Sequence, residues 1–157
     1  MMKRVVGWLL VGWVSLGAGF PEDAYTTAQS AFLREEFAQV VRVVEPLVPA
    51  LAFDFDQPPA VTKTTRIWLW YALSLERLQR LPDALRAIDH VKAGLSNCPP
   101  SVAKQAGLDT LWPEVLFWDG EISRKGLKLV RARLAYQRLL HDVPQSPWRA
   151  SAQLGLG

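Results

Sequence analysis

The sequence predicts an all-α fold in which helices stack as successive antiparallel pairs, an α-solenoid. Apolar residues recur at helical spacing after residue 21, and small residues recur at matching places along the chain. The best-preserved pair is predicted over 112–145. Its spacing, with gaps of twelve, four, three and five, is typical of two helices in contact through small side chains and closed by a proline. The residues are Gly120, Ala132, Tyr136, Leu139 and Pro144.

The first four residues of this spacing pattern have counterparts in two earlier predicted pairs, over about 22–51 and 64–98. The residues concerned are Ala28, Val40, Val44 and Leu47 in the first pair, and Ala72, Ala84, Ile88 and Val91 in the second. Corresponding residues are 44 and 48 apart, which is longer than the ~34 residues of a bare helix-pair repeat. The excess falls on a predicted loop at 52–63 and a predicted short extra helix at 101–111. Ser146-Pro147-Trp148 predicts the start of a fourth pair over 146–157.

Caps and prolines predict where the helices begin and end. A break near 34–36 separates the two helices of the first pair. Because Pro58-Pro59 favours a loop, the third helix is expected to begin at Thr64 or Thr65 with a threonine cap. Pro82 suits the first turn of the next helix, where its missing N–H is not needed.

With these residues in place, the chain resembles the tetratricopeptide repeat family over about residues 22–157. Trp68 matches the family's early tryptophan, and Val40 departs from its pattern because alanine is usual there. The other matches are Ala72 and Gly120 in first helices, Ala84 and Ala132 in second helices, and the closing Pro144. The C-terminal segment is also similar to repeats of bacterial envelope proteins, namely the outer-membrane assembly lipoprotein and the Tol-Pal coordinator.

The resemblance implies a scaffold that binds another protein in a groove lined by the first helix of each pair. It implies no catalytic activity. Carried over by position, the groove residues are Tyr25, Gln29, Phe32, Arg66, Leu69, Leu73, Glu76, Arg77, Phe117, Glu121 and Arg124.

The N-terminus predicts export. Lys3 and Arg4 precede an uncharged run over 5–20, the order of a secretory signal peptide. Sixteen helical residues reach about 24 Å, short of the ~30 Å hydrocarbon core. Residues 1–20 are therefore predicted to be a cleaved signal, with an uncleaved inner-membrane anchor as the alternative. Either places residues 22–157 in the periplasm or cell envelope.

Neither the composition nor the motifs of the sequence indicate an enzyme, a metal site or a cofactor site. The net charge is +3, which together with export argues against nucleic acid as a partner, and the single Cys98 excludes an internal disulfide. His90 and His141 lack a second ligand at helical spacing. Asp119 and Glu121 are expected in the first turns of a helix. No nucleophile or phosphate-binding motif is present.

A run of cations without intervening acids predicts a basic face. Arg124, Lys128, Arg131 and Arg138 share one face if their helix is unbroken. Such a face is expected to be solvated, or to dock on an acidic protein or anionic lipid headgroups.

Two functions follow as hypotheses. The first is an exported envelope adaptor that binds other proteins. The alternative is a structural subunit of a membrane complex, held by an uncleaved helix at 5–20 that contacts lipid. The apolar end, residues 154–157, predicts a continuing chain or a partner that covers it.

Overall fold

The computed structural model describes residues 21–157, and the predicted signal or anchor at 1–20 lies outside the described residues. Within 21–157 the chain is helical and has no strand, as predicted. The helices are α1 (Glu22–Leu33), α2 (Phe37–Val44), a 3-10 helix (Glu45–Ala50), α3 (Pro58–Arg77), α4 (Leu81–Leu95), α5 (Pro100–Gln105), α6 (Leu108–Lys125), α7 (Leu129–Asp142) and α8 (Arg149–Leu156). Among these helices, none combines the length and apolarity needed to cross a membrane.

Three of the connections between helices have the same backbone conformation. They join α1 to α2, α3 to α4 and α6 to α7, each through three residues. The middle residue is in the left-handed region each time: Glu35 at φ 59°, Gln79 at 61° and Leu127 at 57°. In each turn the third residue's N–H donates to a carbonyl five residues earlier, over 2.8–2.9 Å. This is the Schellman arrangement, made here without glycine at the left-handed position.

Neighbouring helices pack in chain order. The helices of each pair contact one another, α2 contacts α3, α4 contacts α6, and α7 contacts α8. Side-chain size differs between the corresponding buried positions of two pairs. The second pair has Ala72 and Ile88, and the third has Gly120 and Tyr136. A Cβ atom at Gly120 would lie 2.3 Å from the Tyr136 ring, so the larger ring requires glycine.

The predicted start of the third helix is wrong. The helix begins at Pro58, and Thr64 and Thr65 are buried inside it rather than capping it. Thr65 donates its hydroxyl to the carbonyl of Val61, 2.8 Å away. The two prolines occupy the first turn, where a missing N–H leaves no hydrogen bond unmade, so they open the helix instead of excluding it.

The later boundaries also shift. A short helix is present as predicted, but it ends at Gln105, and Gly107 in the left-handed conformation then leads into α6 at Leu108 rather than Trp112. Ser146-Pro147 is followed by α8, which begins at Arg149. The Ser146 hydroxyl accepts a hydrogen bond from the Trp148 N–H.

Candidate functional site

The predicted first-helix groove is partly filled by the protein itself. Four of its predicted residues are buried: Leu69, Leu73, Glu76 and Phe117. The Glu76 carboxylate is bonded to Lys125 of α6, and Phe117 stacks on Trp148 with ring centroids 4.5 Å apart. Glu76 therefore joins α3 to α6, Phe117 packs on the segment before α8, and Leu69 is part of the apolar core.

Aromatic contacts between α1 and α3 occupy another part of this surface. Tyr25 and Phe32 of α1 both pack on Trp70 of α3, with centroids 5.3 and 6.0 Å apart. Gln29 is partly exposed beside them. Trp70 therefore serves packing between helix pairs, while Trp68 and Tyr71 are buried in the core.

The charged residues of the predicted groove are paired. Arg66 bonds Glu114 over 2.7 Å and so joins α3 to α6. Arg124 bonds Glu121 over 2.9 Å. Arg77 approaches Glu76 at 3.5 Å. A ligand at this surface would have to displace or extend these pairs.

The predicted basic face does not form one helix face. The left-handed turn at Leu127 separates Arg124 on α6 from Arg131 and Arg138 on α7, so the condition of an unbroken helix is not met. Arg131 is bonded to Asp89 and Asp119, and Arg138 to Asp142. Lys128 is exposed just before α7.

Asp119 is a structural carboxylate rather than a first-turn acid. It lies in the middle of α6 and is only 1% exposed. Lys92 of α4 donates to it over 2.5 Å, and Arg131 of α7 donates to it over 2.7 Å. These bonds give the buried charge the partners it needs and tie three helices together.

Tyr136 is the centre of a smaller apolar cluster of α6, α7 and α8. Its ring is fully buried between Gly120 and Gly155, and its hydroxyl donates to Glu121 over 2.6 Å. Burial, followed by the Glu121 carboxylate, raises the pKa of Tyr136 to about 12. Burial acts to raise the pKa of Glu121, but hydrogen bonds from Arg124 and Tyr136 outweigh it and lower that pKa below its usual value.

The start of α7 exposes large apolar side chains. We name this surface the α7 face and define it as Leu127, Leu129, Val130 and Leu134. Their exposed fractions are 83%, 62%, 66% and 58%. Isolated exposed leucines are common on protein surfaces, but a contiguous group of them is typical of an interaction site.

Corresponding positions in the other two pairs show that the fold does not require an apolar residue at two of these four positions. The residues that match Leu127 are Glu35 and Gln79, and those that match Leu134 are Arg42 and Arg86. All four are exposed. Sequence reasoning aligned the buried positions of the pairs and missed this contrast, which the same alignment contains.

A cleft adjoins the α7 face. We name it the terminal cleft; its volume is about 290 Å³, and it lies between the end of α6, the start of α7 and the end of α8. Its lining residues are Arg124, Leu129, Val130, Ala132, Arg133, Gly155 and Leu156. Apolar walls bordered by two guanidinium groups suit an apolar ligand that carries negative charge.

The two histidines of the chain lie against neighbouring side chains. His90 packs on Trp68 with centroids 4.5 Å apart, and His141 lies beside Asp142. Burial raises the pKa of the Cys98 thiol, which disfavours its nucleophilic form. Across residues 21–157, no group of three or more potential ligands is placed to hold a metal ion.

The chain matches no protein-family model, no curated protein and no solved structure.

Proposed function

We propose that the chain is a scaffold of tetratricopeptide-like helix pairs in the bacterial cell envelope, and that it binds another protein through the α7 face. Three features support the repeat interpretation. The inter-helix turn recurs with one hydrogen-bond pattern, the turns are 44 and 48 residues apart, and the buried small-residue positions recur with them. In such arrays the neighbour contacts stabilise the fold, and exposed surfaces are left for partners.

The observation that carries the proposal is the change of residue type at matched exposed positions. Where two pairs place Arg42 and Arg86, the third places Leu134. Burial of one leucine side chain stabilises a complex by about 1.5–3 kcal/mol. The exposed leucines are thus available to a partner without any change in the packing of α7.

The first-helix groove is a second candidate surface of the same scaffold. Its accessible members are Tyr25, Gln29, Phe32, Arg66, Arg77, Glu121 and Arg124. Because the charges among them already have partners within the chain, the α7 face is favoured as the primary site.

The envelope location rests on the sequence of residues 1–20. The alternative function, a subunit of a membrane complex held by an uncleaved helix, rests on the same residues. N-terminal sequencing of the mature protein separates the two. A start near residue 20 excludes the tethered subunit, and a start at Met1 supports it.

Site-specific photo-crosslinking in the producing cells tests the proposal. A photoreactive amino acid replaces Leu134 in one strain and Arg86, its counterpart on α4, in another. We expect a discrete crosslinked protein from residue 134 and none from residue 86. Equal crosslinking from both positions, or none from residue 134, would contradict a protein-binding role for the α7 face.

A further inference from the structure

Charge is distributed unevenly along the chain. Residues 120–157 contain seven basic and two acidic side chains, a formal charge of +5, whereas residues 21–57 contain two basic and seven acidic ones, a charge of −5. Both acids of the C-terminal segment are already bonded, Glu121 to Arg124 and Tyr136, and Asp142 to Arg138. Acids outside the segment bond Lys125 and Arg131. The cations of the segment that have no acidic partner among residues 21–157 are Lys128, Arg133 and Arg149, and of these Arg133 borders the terminal cleft.

Arg133 marks a departure from the repeat. The matching residues in the first and second pairs are Val41 and Leu85, which are 6% and 4% exposed. Arg133 is exposed at the border of the terminal cleft and makes no hydrogen bond or ion pair with any residue in 21–157. A helix that packs on this side of α7 would cover a guanidinium where the other two pairs have an apolar side chain, and it would need an acidic partner for that charge.

We propose that the occupant of the terminal cleft is an amphipathic helix of another protein, with an apolar stripe on the cleft walls and acidic side chains beside Arg133. This inference rests on the proposed function and adds the chemistry of the partner. Helix-in-groove recognition uses apolar anchors at i, i+3, i+4 and i+7, which suits a cleft bordered by α7 and α8. Carboxylates can bond a guanidinium through two parallel hydrogen bonds.

A second copy of the chain fits the cleft less well, although its acidic N-terminal region has the complementary charge. On α1, Asp23 and Thr27 stand where α3 has the buried Ile67 and Tyr71. The outer side of α1 is therefore polar, as in the terminal cap of a repeat array, and offers little to cover the leucines. Anionic lipid would meet the cations, but a flat membrane surface does not fill a cleft.

Crosslinking from inside the cleft tests the chemistry of the occupant. The full chain carries a photoreactive amino acid at Leu156, and the crosslinked peptide is identified by mass spectrometry. We expect a segment of another protein with helical apolar spacing and with acids flanking the apolar stripe. A crosslink to lipid, to a second copy, to residues 1–20 of the same chain, or to a segment without acids would overturn the inference.

Charge variants give an independent measurement. In the Leu156 crosslinking strain, Arg133→Glu should lower the crosslink yield about tenfold or more, equivalent to 1.4 kcal/mol. Arg133→Lys should retain most of the yield, and Lys104→Glu, an equal charge change on α5, should leave it unaltered. Far-UV circular dichroism verifies that the variants are folded. With the purified complex, the affinity should fall as salt rises.

The two proposals fail in different ways. If no protein is crosslinked from residue 134 or 156, the proposed function is wrong and the inference fails with it. If a protein is crosslinked but Arg133→Glu and added salt have no effect on it, the scaffold function stands and the acidic-helix inference is overturned.

Discussion

Replacement of Gly120 by alanine tests the packing that holds α6, α7 and α8 together. A Cβ atom at residue 120 would lie 2.3 Å from a Tyr136 ring carbon, whereas non-bonded carbons rest about 3.5–4.0 Å apart. The ring cannot retreat, because it is fully buried and backs onto Gly155, where a Cβ atom would lie 2.6 Å from it. We expect a strain of about 2–3 kcal/mol, reduced by about 1 kcal/mol through the better helix propensity of alanine.

The predicted net loss of unfolding free energy is thus about 1–2 kcal/mol. The second helix pair supplies a rescue, because Ala72 and Ile88 occupy the corresponding buried positions. Tyr136→Ile alone should cost about 2–3 kcal/mol, since it removes ring atoms and the hydrogen bond to Glu121.

Urea unfolding followed by far-UV circular dichroism measures both single variants and the double variant. The double variant should be more stable than the sum of the single losses predicts, by about 1 kcal/mol or more. Strictly additive losses would refute the volume-exchange reasoning. So would a Gly120→Ala protein as stable as the parent.

Four further predictions concern the turns, the buried charge, Tyr136 and the α7 face. Gln79→Gly should raise the unfolding free energy by about 0.5–1 kcal/mol, because glycine adopts the left-handed conformation without steric cost. Gln79→Val should lower the unfolding free energy, because that conformation disfavours branched side chains. Urea unfolding that shows the reverse order of stability would contradict this. Asp119→Asn should lower stability by about 2–3 kcal/mol, because it leaves Lys92 and Arg131 without their shared anion, and an unchanged melting temperature would exclude the network as a stabilising element. Folding favours the neutral form of Tyr136, since its pKa is raised to about 12 from 10.0. The stabilisation that follows from this pKa shift is therefore present below pH ~10 and declines as the pH rises toward 12. Above pH ~10 the urea midpoint of the parent protein should fall more steeply than that of Tyr136→Phe. Leu134→Arg, which installs the residue of the other two pairs, should change stability by less than ~0.5 kcal/mol. It should abolish the protein crosslink from a photoreactive amino acid placed at residue 130. Retained crosslinking would exclude Leu134 from the interface.

The helices and their buried faces could be predicted from the sequence, because spacing and small-residue positions are visible in one dimension. Val40, Ala84 and Ala132 were predicted to be buried contact points, and they are buried. The left-handed turns could not be recognised in the same way. Glu35, Gln79 and Leu127 carry no signal for that conformation, since glycine is its usual marker.

The start of α3 could not be predicted because consecutive prolines are compatible with two outcomes. Pro58-Pro59 can exclude a helix or occupy its first turn, and only the packing of Val61 and Thr65 in the core decides between them. The predicted groove is also only partly accessible, because tertiary packing covers some of its residues. Whether Leu69 faces a ligand or a neighbouring helix depends on how closely the first helices approach one another, which no local pattern specifies.

The matched positions of the three helix pairs show which residues of the α7 face the fold does not require. Glu35 and Gln79 make the same turn as Leu127, so the turn does not require leucine. Arg42 and Arg86 occupy the same exposed helical position as Leu134, so the helix does not require leucine there either. An exposed leucine is stabilised when a partner covers it and removes its surface from water. At residues 127 and 134 the third pair thus has exposed leucines where the other two pairs have charged or amide side chains, and this contrast supports the proposed partner surface.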